Sequence, residues 1–132
     1  SEVHAAYSGM RRVEVHQETT LTQLVAHHNL ISEVQVTALM AHLRVLNLAV
    51  CRLLILPESL FEHMPKLEEL ILDRNKLQSL PSSISHLHRL HLLSASDNAI
   101  DTFPRLAFTE CHRLRSINLR GNNINEFPVG LW

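Results

Sequence analysis

The sequence is poor in most of what specialised chemistry uses. Of its 132 residues only three are glycine, Gly9, Gly121 and Gly130, so no glycine-rich phosphate loop can be written. Only two are cysteine, Cys51 and Cys111, too few for a disulfide framework and not in a C-x-x-C pair. Aromatic residues make up 5%, sparse for a base-stacking platform. Neither sign of charge dominates. The formal net charge is −1, which supplies no basic footprint for a nucleic acid. No apolar run approaches the roughly 18 residues needed to span a bilayer. No basic segment followed by an apolar stretch opens the chain, so no signal peptide is expected in it. What is present is 45% apolar and 19% charged residues, the composition of a globular domain long enough for a real core.

The abundant feature is repetition. Leu43-Arg-Val-Leu46-Asn-Leu48-Ala-Val-Cys51-Arg-Leu53 returns as Leu67-Glu-Glu-Leu70-Ile-Leu72-Asp-Arg-Asn75-Lys-Leu77. It returns again as Leu90-His-Leu-Leu93-Ser-Ala95-Ser-Asp-Asn98-Ala-Ile100 and as Leu114-Arg-Ser-Ile117-Asn-Leu119-Arg-Gly-Asn122-Asn-Ile124. Leu21-Thr-Gln-Leu24-Val-Ala26-His-His-Asn29-Leu-Ile31 fits the same template one period upstream. The alternating L-x-L core of each copy reads as a short strand with one buried face. One such strand cannot bury its leucines alone. Stacked copies can, as a parallel sheet over one continuous apolar column. The Asn column (Asn29, Asn75, Asn98 and Asn122, with Cys51 as the exception) follows the strand, where the chain turns inward. Its amides are expected to form a ladder serving neighbouring turns.

The second half of each repeat carries Leu56-Pro57-x-x-Leu60, Leu80-Pro81-x-x-Ile84, Phe103-Pro104 and Phe127-Pro128. Proline fixes φ and removes a donor, ending the strand and opening a return segment. Residues 59–64 and 82–87 read as short helical turns. Ser32 to His42 is expected to be a helical return capped by Ser32. A competing reading places a helix over 20–28 and a first strand at Val13-Glu14-Val15. Residues 1–20 show no repeat and are expected to be an N-terminal cap.

A period in the twenties with L-x-x-L-x-L-x-x-N/C-x-L resembles leucine-rich repeat proteins, of the intracellular L-P-x-x-L type. The extra Phe61 and Phe108 are more familiar from extracellular members. The resemblance implies an α/β fold. It would be a curved right-handed βα superhelix, with a parallel sheet on the concave face and short helices or turns on the convex face. About five repeats, starting near 21, 43, 67, 90 and 114, would fill a domain over 21–132. It also implies a non-catalytic protein-interaction module. The alternative is the recognition domain of a larger enzyme, such as a kinase, GTPase, phosphatase or ubiquitin ligase. RNA binding fits less well, given the charge and the few aromatics. Secreted members usually end in disulfide clusters and none is visible, so a cytoplasmic or nuclear location is expected.

The residues between the buried leucines point away from the core and are the candidate partner-binding set. They are Val45, Asn47, Val50, Glu69, Ile71, Asp73, Arg74, Leu92, Ser94, Asp97, Asn118 and Arg120. Val45, Val50, Ile71 and Leu92 are expected to form an apolar patch, rimmed by Glu69, Asp73, Arg74 and Asp97. No catalytic residues, metal or cofactor are expected. Ten histidines are unusual, but His27 and His28 fall repeats away from His86, His88 and His91, and zinc needs ligands converging at about 2 Å. The partner is expected to be a protein, with neither nucleic acid nor membrane involved. At Leu131-Trp132 the apolar column of Ile117, Leu119, Ile124 and Phe127 has no following repeat. Further repeats, a cap or an edge-to-edge homodimer would cover it.

Overall fold

A computed structural model describes the strand Glu2–His4 and residues 9–126. Among the described residues there are eight short strands: β1 Glu2–His4, β2 Arg12–Val15, β3 Gln23–Val25, β4 Glu33–Val36, β5 Val45–Asn47, β6 Glu69–Ile71, β7 Leu92–Ser94 and β8 Ser116–Asn118. They stack as two parallel sheets on opposite walls of a solenoid. The larger has the order β1-β3-β5-β6-β7-β8 and the smaller is β2-β4. The register is uniform. Leu24, Leu46, Leu70, Leu93 and Ile117 lie side by side at the centres of successive strands. The first four are at most 6% exposed.

Two residues beyond each strand centre comes a second buried position: Ala26, Leu48, Leu72 and Ala95 are fully buried. Leu53, Leu77 and Ile100 complete each layer, and Leu56, Leu60, Phe61, Leu80, Ile84 and Leu87 close it from the return side. In the last described repeat Ile117, Leu119 and Ile124 are only partly buried. Phe127, Leu131 and Trp132, on which the expected edge also rested, lie outside the described residues, as does Pro128.

The Asn ladder forms as the repeat predicts. Asn75 Nδ2 donates to the Leu48 carbonyl of the preceding repeat (2.9 Å) and to Leu72 (3.0 Å), while its Oδ1 accepts from Leu53 N–H (3.0 Å). Asn98 spans the next step by donating to Leu72 and accepting from Leu77. Asn122 does the same with Ala95 and Ile100. At the exceptional position the Cys51 thiol donates weakly to Ala26 and Ala49 carbonyls at 3.6 Å. Burial raises the Cys51 pKa, and raises that of Cys111 to about 11 with help from neighbouring Glu110. Both thiols are free and buried.

The return wall changes character along the chain. In the later repeats it holds two short 3-10 turns, Leu60–His63 and Ser82–His86, where helical turns were expected. Each is preceded by a proline whose carbonyl accepts an i+3 bond: Pro57 from Leu60, Pro81 from Ile84, and likewise Pro104 from Ala107. The segment after Ser32 is not helical as expected. It is strand β4, paired in parallel with β2 through Val13↔Val34 and Val15↔Val36. Its Glu-Val-Gln-Val alternation puts two β-branched residues on one buried face, which suits a strand and costs a helix. Val13-Glu14-Val15 is therefore a strand, but 23–25 is one too rather than part of a helix. The first twenty residues, expected as a cap, contribute β1 and β2 to the two walls.

Candidate protein-binding face

The outward side of the six-stranded sheet is a grid. Strand residues flanking each buried centre point away from the core, and registry lines them up across repeats about 4.8 Å apart. One row reads Gln23, Val45, Glu69, Leu92, Ser116 and the next Val25, Asn47, Ile71, Ser94, Asn118. From β3 to β7 these residues are partly buried, whereas Ser116 and Asn118 on β8 are exposed.

Of the expected apolar patch, three members share this grid. Val45 and Leu92 stand on either side of Glu69 in one row, and Ile71 follows Glu69 by two residues on the same face. Val50 stands apart. It lies beyond the strand in a left-handed turn with φ 53°. His28, Arg74 and Asp97 adopt the same conformation at the equivalent position (φ 54–56°), and Gly121 completes the column. Only Gly121 meets this φ without side-chain strain. The Asp97 carboxylate lies where a Cβ on Gly121 would go, so that position has a second reason to be glycine.

One member of the expected rim does structural duty. Asp73 Oδ1 accepts from Ser94 Oγ (2.7 Å), Ser96 N–H (2.7 Å) and Ser96 Oγ (2.9 Å), tying one repeat to the next. Arg74 Nε approaches Asp97 Oδ2 at 4.0 Å, an exposed pair worth little by itself. Asn47 and Asn118 fold back to accept from Ala49 and Arg120 N–H. Among the described residues Glu69 makes no side-chain hydrogen bond or ion pair, and Ile71 and Leu92 flank it on the same face, all three partly buried.

Two features escaped the sequence reading. Leu54 and Ile55 are 61% and 74% exposed. Gln78-Ser79, Asp101-Thr102 and Asn125-Glu126 occupy the same two columns in the other repeats, so column alignment would have revealed them. The second is charge at the strand entrances. His42, Lys66, Arg89 and Arg113 precede the first leucine of each repeat, and Arg44, Glu68, His91 and Arg115 follow it. A net charge of −1 conceals that clustering.

Among the described residues the histidines do not converge. His27 and His28 touch through their Nδ1 atoms at 2.6 Å, His88 contacts the Glu110 carbonyl, and His91 lies 3.8 Å from Glu68. Among the described residues no group of three or more His, Cys, Asp or Glu is arranged to hold a metal. Among them, too, no helix is long and apolar enough to cross a membrane.

Residues 41–100 match one leucine-rich repeat family and residues 113–132 another. The chain is similar to a probable serine/threonine-protein kinase of Dictyostelium discoideum, 34% identical over 73 residues, which are 55% of this chain and 6% of that protein. It is 31% identical over 88 residues to human PH domain leucine-rich repeat-containing protein phosphatase 1, covering 67% of this chain and 5% of the phosphatase. It is 41% identical over 61 residues to human Toll-like receptor 2, covering 46% of this chain and 8% of the receptor. The chain thus spans a small fraction, under a tenth, of the relatives it matches.

Proposed function

We propose that this chain, which belongs to the leucine-rich repeat proteins, is a non-catalytic recognition module that binds a protein partner on the outward face of its six-stranded sheet. The observation that carries this reading is the grid itself. From β3 to β7 the core takes up the leucine positions of each strand, so the outward rows are not needed to fill it. There Ile71 and Leu92 keep apolar side chains partly open to water beside the carboxylate of Glu69. Apolar anchors beside charged neighbours are what a specific interface needs, since the anchors supply affinity and the charges reject wrong partners. The remaining contact candidates are Val45, Asn47, Val50, Asp73, Arg74, Ser94, Asp97, Asn118 and Arg120.

A second reading keeps the same face but makes it the recognition segment of a larger enzyme. It is favoured by the similarity to short stretches of a probable kinase and a phosphatase. Either way the working compartment is proposed to be reducing, cytoplasmic or nuclear, in keeping with the two free buried thiols.

The test compares partner capture by the wild type, Ile71→Asp, Leu92→Asp and the distant control Arg52→Gln. Proteins retained by wild type and control but lost from both face variants, at unchanged melting temperature, would support the reading. Capture indifferent to the face variants would sink it. Unfolding of those variants would show Ile71 and Leu92 to be core.

A further inference from the structure

The strand-entrance charges gather into one site. Backbone bonds run from Glu68 N–H to the Arg44 carbonyl (2.8 Å), from His91 N–H to Glu68 (2.9 Å) and from Arg115 N–H to His91 (3.0 Å). These residues therefore form a continuous line across β5 to β8. Two residues before His91 and Arg115 stand Arg89 and Arg113, one on each of the two adjoining repeats. Glu68, Arg89, His91, Arg113 and Arg115 together line one open cavity of about 380 Å³. The three arginines are exposed, and among the described residues none of their guanidinium groups pairs with a carboxylate. Among the described residues the one acid in the lining, Glu68, lies 3.8 Å from His91 Nε2. Nearby Glu110 is directed to His112 at 3.3 Å.

We propose that this cavity is an anion subsite that receives a phosphorylated serine or threonine side chain of the protein partner. Three guanidinium groups against one carboxylate leave a formal surplus of two positive charges, with the histidine neutral. A phosphate monoester carries about −1.5 to −2 at neutral pH, and a lone carboxylate only about −1. Planar guanidinium forks bind phosphoryl oxygens in pairs, which a lysine cluster cannot do. A polynucleotide fits less well. Among the described residues no Phe, Tyr or Trp lines the cavity to stack a base. A phosphodiester chain leaving it across the sheet face would meet Glu69, Asp73 and Asp97. The subsite adjoins the proposed recognition face, since His91 directly precedes Leu92. It thus rests on the protein-recognition reading and specifies what part of the partner that reading should contain.

The site can be probed without knowing the partner. The arginine Nε–H signals of 15N-labelled protein are followed in low salt while N-acetyl-phosphoserine amide is added. Arg89, Arg113 and Arg115 should shift saturably and Arg52 should not. Arg113→Gln with Arg115→Gln should weaken the binding at least tenfold, while the melting temperature holds because both side chains are exposed. Ile71→Asp should leave the titration unchanged, so failure of the face and failure of the subsite are read separately. A degenerate phosphoserine peptide library should bind at least tenfold tighter than its unphosphorylated twin. Equal shifts with N-acetyl-glutamate amide would overturn phosphoryl selectivity. Uniform shifts of all exposed arginines would reduce the effect to nonspecific screening and overturn the site. Tighter binding of single-stranded RNA than of the phosphopeptides would overturn the choice of partner.

Discussion

Replacing Asn75 by alanine should do more damage than its small size suggests. Asn75 is 7% exposed and joins four backbone groups from two repeats, Leu53 N–H and the Leu48, Leu72 and Asp73 carbonyls. In Asn75→Ala the Leu72 carbonyl keeps the Asn98 amide at 3.0 Å. The Leu53 N–H and the Leu48 carbonyl lose the partners seen here. Each buried group stranded in this way costs about 1–3 kcal/mol, so the loss should be about 2–6 kcal/mol. Against a typical total of roughly 5–15 kcal/mol this is a large fraction. The protein carries its own control. Cys51 occupies the equivalent position, where its sulfur makes only long contacts at 3.6 Å. Asn75→Cys should therefore fold and lose about half as much as Asn75→Ala. The assay is urea unfolding followed by far-UV circular dichroism, with the three proteins compared at a common slope. An Asn75→Ala variant within 1 kcal/mol of wild type would refute the ladder as a stabilising device. A cysteine variant weaker than the alanine variant would refute the comparison with Cys51.

Other outcomes follow from the same packing. Leu72 and Leu93 are both fully buried, and truncating either to alanine should cost about 2–5 kcal/mol in the same unfolding assay. Burial holds the Cys111 thiol protonated up to about 11, above its ordinary 9.0. The unfolded chain ionises first as pH rises, so this contribution to stability is intact below pH 9 and disappears between about 9 and 11. Melting temperatures measured across that window should fall more steeply for wild type than for Cys111→Ala, and parallel curves would contradict it. Exchanging Leu54-Ile55 for the Gln-Ser found in the following repeat should leave the melting temperature within about 2 °C, since both side chains are already largely in water. A larger drop would mean that they pack.

What could be read from the sequence was whatever repeats with a fixed chemical demand. The leucine columns are legible because each strand needs one buried face. The Asn column is legible because turns need an amide. The 3-10 turns follow their prolines for the same reason. The first two return segments were harder to read. Glu33–Val36 lacks the L-P-x-x-L punctuation, and its Val-x-Val alternation is too short to outweigh a helical expectation unless the partner strand Arg12–Val15 is known. Asp73 read as a rim residue because its acceptor role depends on Ser94 and Ser96 from another repeat. The left-handed column was nearly invisible. Its only sequence signal is Gly121, and His28, Val50, Arg74 and Asp97 carry none. The basic cavity was visible in principle as residues flanking each first leucine, but net charge averages it away.

The left-handed column also bears on why the outward surface is so varied. A non-glycine residue at positive φ costs roughly 1–2 kcal/mol, and a β-branched one such as Val50 more. The stack holds each in place. His28, Val50, Arg74 and Asp97 all donate their N–H to a carbonyl of the next repeat, at 2.8–2.9 Å. Glycine would meet the same backbone demand without strain, as it does at Gly121. Four of the five positions instead keep a side chain, and the four differ: an imidazole, an isopropyl group, a guanidinium and a carboxylate. Packing does not require them, because the core beneath is closed by Leu48, Leu72 and Ala95. Strain retained where glycine would serve, with chemistry that changes from one repeat to the next, sets these positions apart from the uniform columns below. On the proposed reading it belongs to recognition. Arg74 and Asp97 would border the apolar anchors at one end of the strands as the arginine-lined cavity does at the other, and a partner laid across the sheet would be held in register between them.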